Sequence, residues 1–153
     1  MFQGKVRVRV CGLLISEDKV LLLNHSGIGQ KGALWSPPGG GIEFGEGAKE
    51  TLIREFMEET NLEITVGEYL FLNEHIDEKH HAIELFFRVT YRSGHLSLGT
   101  DPEMDEQILT DVKFFSLVEI RKEPIGTVHS IFEKVDSLDD LFNLRGYFHS
   151  VQL

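Results

Sequence analysis

The stretch from Gly39 to Leu62, GGGIEFGEGAKETLIREFMEETNL, constrains this chain more than any other, because it joins a glycine turn to a helix loaded with carboxylates. Successive residues of an α-helix advance by about 100°, so positions three or four apart share a face. Measured from Leu52, Ala48 lies at about −40°, Phe56 at about +40° and Ile53 at about +100°, an apolar stripe of ordinary width. Glu55, Glu58 and Glu59 fall at roughly −60°, −120° and −20°, an arc that overlaps the stripe instead of opposing it. Like charges at this spacing repel, and carboxylates edging toward a buried face lose hydration. The arrangement is costly unless a cation sits among them, and hard oxygen ligands select Mg²⁺ or Mn²⁺.

The approach to the helix supports that reading. Pro37 and Pro38 stiffen the entry, and Gly39-Gly40-Gly41 permits close backbone approach to a ligand or metal. The helix itself is expected to start near Gly47 or Ala48, with Glu46 in the first turn, at the positive end of the dipole.

Counted from Gly40, the sequence runs Gly, five residues, Glu46, seven residues, Arg54-Glu55-Phe56, one residue, Glu58-Glu59, one residue, Asn61-Leu62. This resembles the Nudix hydrolase signature at every defined position but one, where Asn61 replaces a glycine. Asn tolerates the left-handed conformation better than any residue except Gly, so the departure is mild. The resemblance implies hydrolysis of a nucleoside diphosphate linked to another moiety. It places the metal on Glu55, Glu58, Glu59 and the carbonyl of Gly39, and gives Arg54 the task of orienting the glutamates. Glu46 is either a helix-dipole residue or an aid to metal and water binding. The general base stays open among Glu58, Glu59, Glu46 and a loop carboxylate such as Glu106.

Composition is that of an ordinary soluble globular protein. The 153 residues suit one domain spanning residues 1–153, with 41% hydrophobic and 26% charged residues. A net charge of −10 disfavours nucleic acid and acidic membranes as partners, and a polyphosphate substrate then needs metal to invert the local charge. The single cysteine, Cys11, sits in a Val-rich strand pattern and reads as a buried inert thiol. The N-terminal segment lacks a signal peptide's apolar run, which leads to the expectation of a cytoplasmic protein. Oligomeric state is not legible in the sequence; many relatives are dimers, an analogy that leaves a homodimer open.

Along the chain, the alternation from Lys5 to Val10 puts Val6, Val8 and Val10 on one face of a strand, with a hairpin through Ser16–Lys19 to Val20–Leu23. Asn24 to Ala33 reads as a surface loop. Leu62–Ile76, broken near Gly67, and Ala82–Tyr91 read as strands joined at Asp77-Glu78-Lys79. His75, His80 and His81 flank that turn without ligand spacing and are expected to be solvated or hydrogen-bonded. Glu84 is assigned to the solvated face in preference to the cleft. Ser93 to Gln107 is a long loop in which Glu103 and Glu106 are candidate carboxylates. Val112–Phe115 is a strand, and Pro124 is expected to open a helix whose core face includes Val128, Ile131, Phe132 and Val135. Ser137–Phe142 forms a further turn.

Mixed strands with one helix in the middle and one near the end imply an α/β fold, and the Nudix resemblance implies an α/β/α sandwich with a mixed sheet between helices. The family's subgroup tags are missing: there is no proline between Pro38 and Pro102, and no Pro- and Trp-rich array. A small nucleotide-type substrate therefore remains unspecified. Trp35, Phe44 and Phe71 are aromatic candidates for base stacking whose simpler assignment is the core. The alternative is a non-catalytic Nudix-fold binding or regulatory module, against which the intact set Arg54, Glu55, Glu58 and Glu59 argues.

Overall fold

The computed structural model describes residues 4–26, 32–99 and 109–152. Strand β1 (Val6–Ser16) turns into β2 (Lys19–Ser26) through Glu17 and Asp18, both at positive φ, the tight turn that suits the twist of a hairpin. The two strands pair only at Ile15–Val20 and Ser16–Lys19. Ahead of that point β1 is taken by two other neighbours: the short strand β4 (Gly39–Gly41), antiparallel, and β6 (His81–Ser93), parallel from Val6–His81 to Leu14–Val89. Freed from β1, strand β2 pairs with β3 (Ala33–Ser36) on one side and β7 (Leu109–Phe115) on the other. Beyond β6 lie β5 (Glu63–Asp77), antiparallel, and β8 (Gly146–Gln152), parallel to β5. The mixed order β3-β2-β1-β6-β5-β8 follows, with β4 on β1 and β7 on β2.

Helix α1 (Ala48–Thr60) covers one face of this sheet. Its Leu52 and Phe56, both fully buried, pack with Val10, Leu14, Leu21, Phe87 and Val89. Each such side chain contributes about 1.5–3 kcal/mol relative to exposure. On the opposite face Cys11, Leu13, Phe71 and Phe86 meet Ile120 of the short helix α2 (Leu117–Lys122) and residues of two 3-10 turns, Ser130–Lys134 and Leu138–Asn143. This is an α/β fold with the mixed sheet between helical layers. Among the described residues no helix is long and apolar enough to cross a membrane.

Several expectations need correction. Val6, Val8 and Val10 share a face, but only Val10 is buried, because α1 reaches no further along β1. Ile53 lies on the outer side of α1, 43% exposed, because the buried arc of the helix is centred on Leu52, Glu55, Phe56 and Glu59 and Ile53 falls off its edge. Helix α2 was not anticipated, although Ser116-x-x-Glu119 forms a full capping box. The helix expected from Pro124 shrinks to the 3-10 turn at Ser130–Lys134. Trp35 holds residues 127–129 extended, donating its N–H to the Thr127 carbonyl and accepting from the His129 N–H, both at 2.8 Å. Helical geometry therefore starts only after His129, whose side chain caps the turn by accepting the Ile131 N–H at 3.1 Å.

Candidate active site

The site begins where β4 lies against β1. A Cβ on Gly39 would overlap the Val10 carbonyl, and one on Gly40 would overlap the carboxyl group of Glu55. Glycine is thus required by close approach from both sides. The Gly39 N–H donates to Glu59 Oε1 at 2.9 Å. Glu55 and Glu59, each 1% exposed, are therefore pressed onto glycine backbone and not into the apolar core. Acidic side chains that sequence geometry put on the buried side of α1 are indeed buried, and the glycine strand is what receives them.

Arg54 organises the outer carboxylates. Its Nε and one terminal nitrogen donate to the two oxygens of Glu46, both at 2.9 Å. Its other terminal nitrogen reaches Glu55 at 3.1 Å and both oxygens of Glu58 at 3.3 and 3.2 Å. Thr51 Oγ1 also donates to Glu46, at 2.7 Å. These bonds, Arg54 first, hold the Glu46 carboxyl at about 2, and Glu46 in turn raises the Arg54 pKa. Glu46 stands before the N-cap Gly47, outside the first turn of α1, whose acidic residue is Glu50. Glu58 keeps 27% of its side chain exposed and is the most accessible of the three helix glutamates.

At its C-terminus α1 ends on Asn61 in the left-handed conformation, φ 63° and ψ 18°, with the side chain donating to the His95 carbonyl at 3.0 Å. Residues 94–99 lie across this end: Ser97 and Gly99 donate backbone N–H groups to the carbonyls of Thr60 and Glu59 at 3.0 and 2.8 Å. They satisfy acceptors that the last turn of a helix leaves open. A Cβ on Gly99 would overlap the Glu58 carbonyl.

The glycine strand, the acidic helix and the left-handed cap together form one strand-loop-helix unit, and the model of the NUDIX domain family matches residues 5–133 around it. The chain belongs to the Nudix family. It is 30% identical over 117 residues to the ADP-ribose pyrophosphatase of Methanocaldococcus jannaschii, a match covering 75% of this chain and 64% of that protein. It is 36% identical over 64 residues to the CTP pyrophosphohydrolase of Escherichia coli, covering 41% of this chain and 47% of that protein. The chain thus spans less than two thirds of the length of either relative. Its backbone is similar to that of a Nudix hydrolase from Nitrosomonas europaea, with a TM-score of 0.71 at 18% identity over 91% of this chain and 89% of that one.

A Nudix site implies a divalent ion. Among the described residues no three His, Cys, Asp or Glu side chains converge closely enough to hold one as they stand. The donor set nevertheless fits. All its ligand atoms are oxygens, which suits a hard cation. Glu55 and Glu59 are fixed on glycine backbone, and the space above Gly40 that a Cβ would fill is occupied by a carboxylate. Glu55 and Glu58 already share a positive charge, that of Arg54.

The remaining Nudix candidates divide. Glu103 and Glu106 lie outside the described residues. Glu84 corrects the sequence reading: it is 5% exposed and faces inward, because β1 and β6 run in parallel register with Arg9 beside it. Its Oε1 takes hydrogen bonds from Asn73 at 2.9 Å and His129 at 2.8 Å. Burial opposes its ionisation, but His129, Arg9 and Asn73 overturn that and hold it at about 2. No periodicity in Ile83–Phe87 could have identified partners on three other segments. His75 and His80 bond to Asp77, and His81 bonds to Glu74 at 2.6 Å. Cys11 is buried, and burial pushes its thiol pKa up, as an inert thiol requires. Trp35 packs edge-on to Phe115 at 4.7 Å and Phe71 stacks on Phe86 at 4.6 Å, both in the core, whereas Phe44 is fully exposed in the loop before α1.

Proposed function

We propose that this chain, read as one hydrolase domain, cleaves the pyrophosphate bond of a nucleoside diphosphate derivative with the help of Mg²⁺ or Mn²⁺. The observation that carries this reading is the Arg54 fork, which ties Glu46, Glu55 and Glu58 into one frame beside Glu59 on Gly39. Glu55, Glu58, Glu59 and the Gly39 carbonyl would hold the ion. When bound, such an ion neutralises phosphate oxygens and makes water a better nucleophile near neutral pH.

The chain's own groups supply the rest. Glu58 is the general base of this proposal: it is the most exposed of Glu46, Glu58 and Glu59 and is held by a single Arg54 nitrogen, whereas Glu46 is gripped by two Arg54 nitrogens and by Thr51, and Glu59 is buried. Water attacks one phosphorus, its proton passes to Glu58, and the bridging P–O bond breaks as the other phosphate leaves in line. Arg54 keeps Glu58 and Glu55 in place throughout, a positioning task.

The names of the two relatives point to ADP-ribose and CTP as first substrates to try. Both, with nucleotide sugars and dinucleotides, should be incubated with and without Mg²⁺ and phosphate-containing products measured. Metal-dependent turnover that Glu58→Gln removes is expected. No turnover of any substrate, or full activity in Glu58→Gln, would overturn the proposal.

A further inference from the structure

We propose that Arg9 docks a phosphate group of the substrate, and that Glu84, itself fixed by His129 and Asn73, positions it. This deepens the pyrophosphohydrolase reading and rests on it.

Strand register sets Arg9 between Gly41 of β4 and Glu84 of β6, beside the glycine strand on which Glu55 and Glu59 lie. All three glutamates act on it through space. Yet Arg9 is poorly bonded. Glu84 Oε2 is 3.8 Å from its terminal nitrogen, an ion pair outside hydrogen-bond reach. Its Nε is buried without a hydrogen-bond partner among the described residues. About a quarter of the side chain, 23%, is still exposed, which leaves part of it within reach of a ligand.

Glu84 is not placed to close the gap. Asn73 and His129 bind its other oxygen. His129 is fixed as well, because Nδ1 accepts the Ile131 N–H, which leaves Nε2 as the protonated nitrogen facing Glu84. Asn73 and His129 therefore hold the carboxylate still, and the arginine beside it stays short of acceptors. Unmet donors on a half-buried guanidinium are costly, and a phosphate offers the paired oxygens that satisfy them. The need is real in a chain of net charge −10, where Arg54 is already committed to three glutamates.

Two measurements test this: KM and kcat on the best substrate, and calorimetric binding of inorganic pyrophosphate in EDTA. Arg9→Gln is expected to raise KM and weaken metal-free pyrophosphate binding by about tenfold or more, the scale of a lost charge-assisted bond. Its kcat should fall by less than about threefold. Arg9→Lys should recover part of the binding. Glu58→Gln should do the reverse, losing kcat with pyrophosphate binding unchanged. Should Arg9→Gln fold poorly because Glu84 is left unpaired, the double variant R9Q/E84Q removes both charges and must show the same loss of binding. Wild-type binding of pyrophosphate in either variant, a loss confined to kcat, or no metal-free binding by the wild type would overturn the assignment. Pyrophosphate binding through Arg9 in a protein that hydrolyses nothing would instead refute the hydrolase reading and leave the docking site standing.

Discussion

Arg54 grips Glu46 with two nitrogens, each 2.9 Å from a different carboxylate oxygen, and spends its third nitrogen on Glu55 and Glu58. Glu46 stands eight residues before Arg54, in the loop ahead of the helix, so this pair locks the loop to the carboxylate-bearing face of α1.

Glu46→Gln should therefore leave the fold intact and loosen the glutamates. The expected loss is roughly 10- to 100-fold in kcat, as for other residues that orient metal ligands. Arg54→Lys should lose more, because one ammonium lacks the fork that spans three carboxylates. Steady-state kinetics beside circular dichroism check both; a kcat for Glu46→Gln equal to wild type would remove Glu46 from the site.

Two glycines should respond differently to alanine. At Gly40 the new methyl meets the end of the Glu55 side chain, which can swing away, so stability should fall by less than about 1.5 kcal/mol while metal-dependent activity collapses. At Gly99 it meets the Glu58 backbone carbonyl, which cannot move without disturbing the helix end. Gly99→Ala should cost about 1–3 kcal/mol in urea unfolding. Equal stability losses in the two variants would contradict this division.

Asn61 offers a separate measure of the left-handed cap. Asn61→Ala places a strained residue at φ 63° and deletes the bond to the His95 carbonyl, for an expected cost of about 1–2 kcal/mol. Asn61→Gly removes the strain and loses only the bond, so its unfolding midpoint should fall between those of the wild type and Asn61→Ala.

Acid should weaken the fold in a defined window. Glu84 and Asp77 both titrate at about 2, below ordinary values of 4.5 and 3.8. Burial opposes the shift in each, and it is overcome at Glu84 by His129, Arg9 and Asn73, and at Asp77 by His75 and the backbone N–H groups of Lys79 and His80. The folded state thus binds fewer protons than the unfolded chain. The stabilisation is complete above about pH 4.5 and is lost as pH falls toward about 2. Urea unfolding between pH 6 and 3, values about this window, should show a flatter pH slope in Glu84→Gln than in wild type. Parallel slopes would show that Glu84 is not linked to folding.

Bound metal should stabilise the folded state. At an Mg²⁺ concentration about 100 times its dissociation constant the gain is about 2.7 kcal/mol, seen as a higher Tm. Glu55→Gln should lose that increment, and EDTA should reverse it in the wild type.

The Gly39–Leu62 unit is legible in the sequence because its logic is local. Helical spacing alone crowds Glu55 and Glu59 onto the buried side, and Asn at a left-handed cap is a rule of backbone sterics. The same holds for the β1–β2 hairpin, whereas α2 went unread although its Ser116–Glu119 capping box is just as local. Other features depend on partners far apart in the chain. Glu84 is buried because β1 happens to run parallel to β6, bringing Arg9 alongside, while Asn73 and His129 arrive from β5 and from the segment that Trp35 holds extended. The helix expected at Pro124 has the right apolar spacing, yet Trp35 offers its backbone to Thr127 and His129 and a strand-like bridge wins. The acidic helix, the turn that feeds it and the kind of chemistry its carboxylates suit are written into the chain, since each follows from residues within one or two turns. Which charges end up facing one another across the sheet depends on how the strands align, because strand register joins residues that no local period relates.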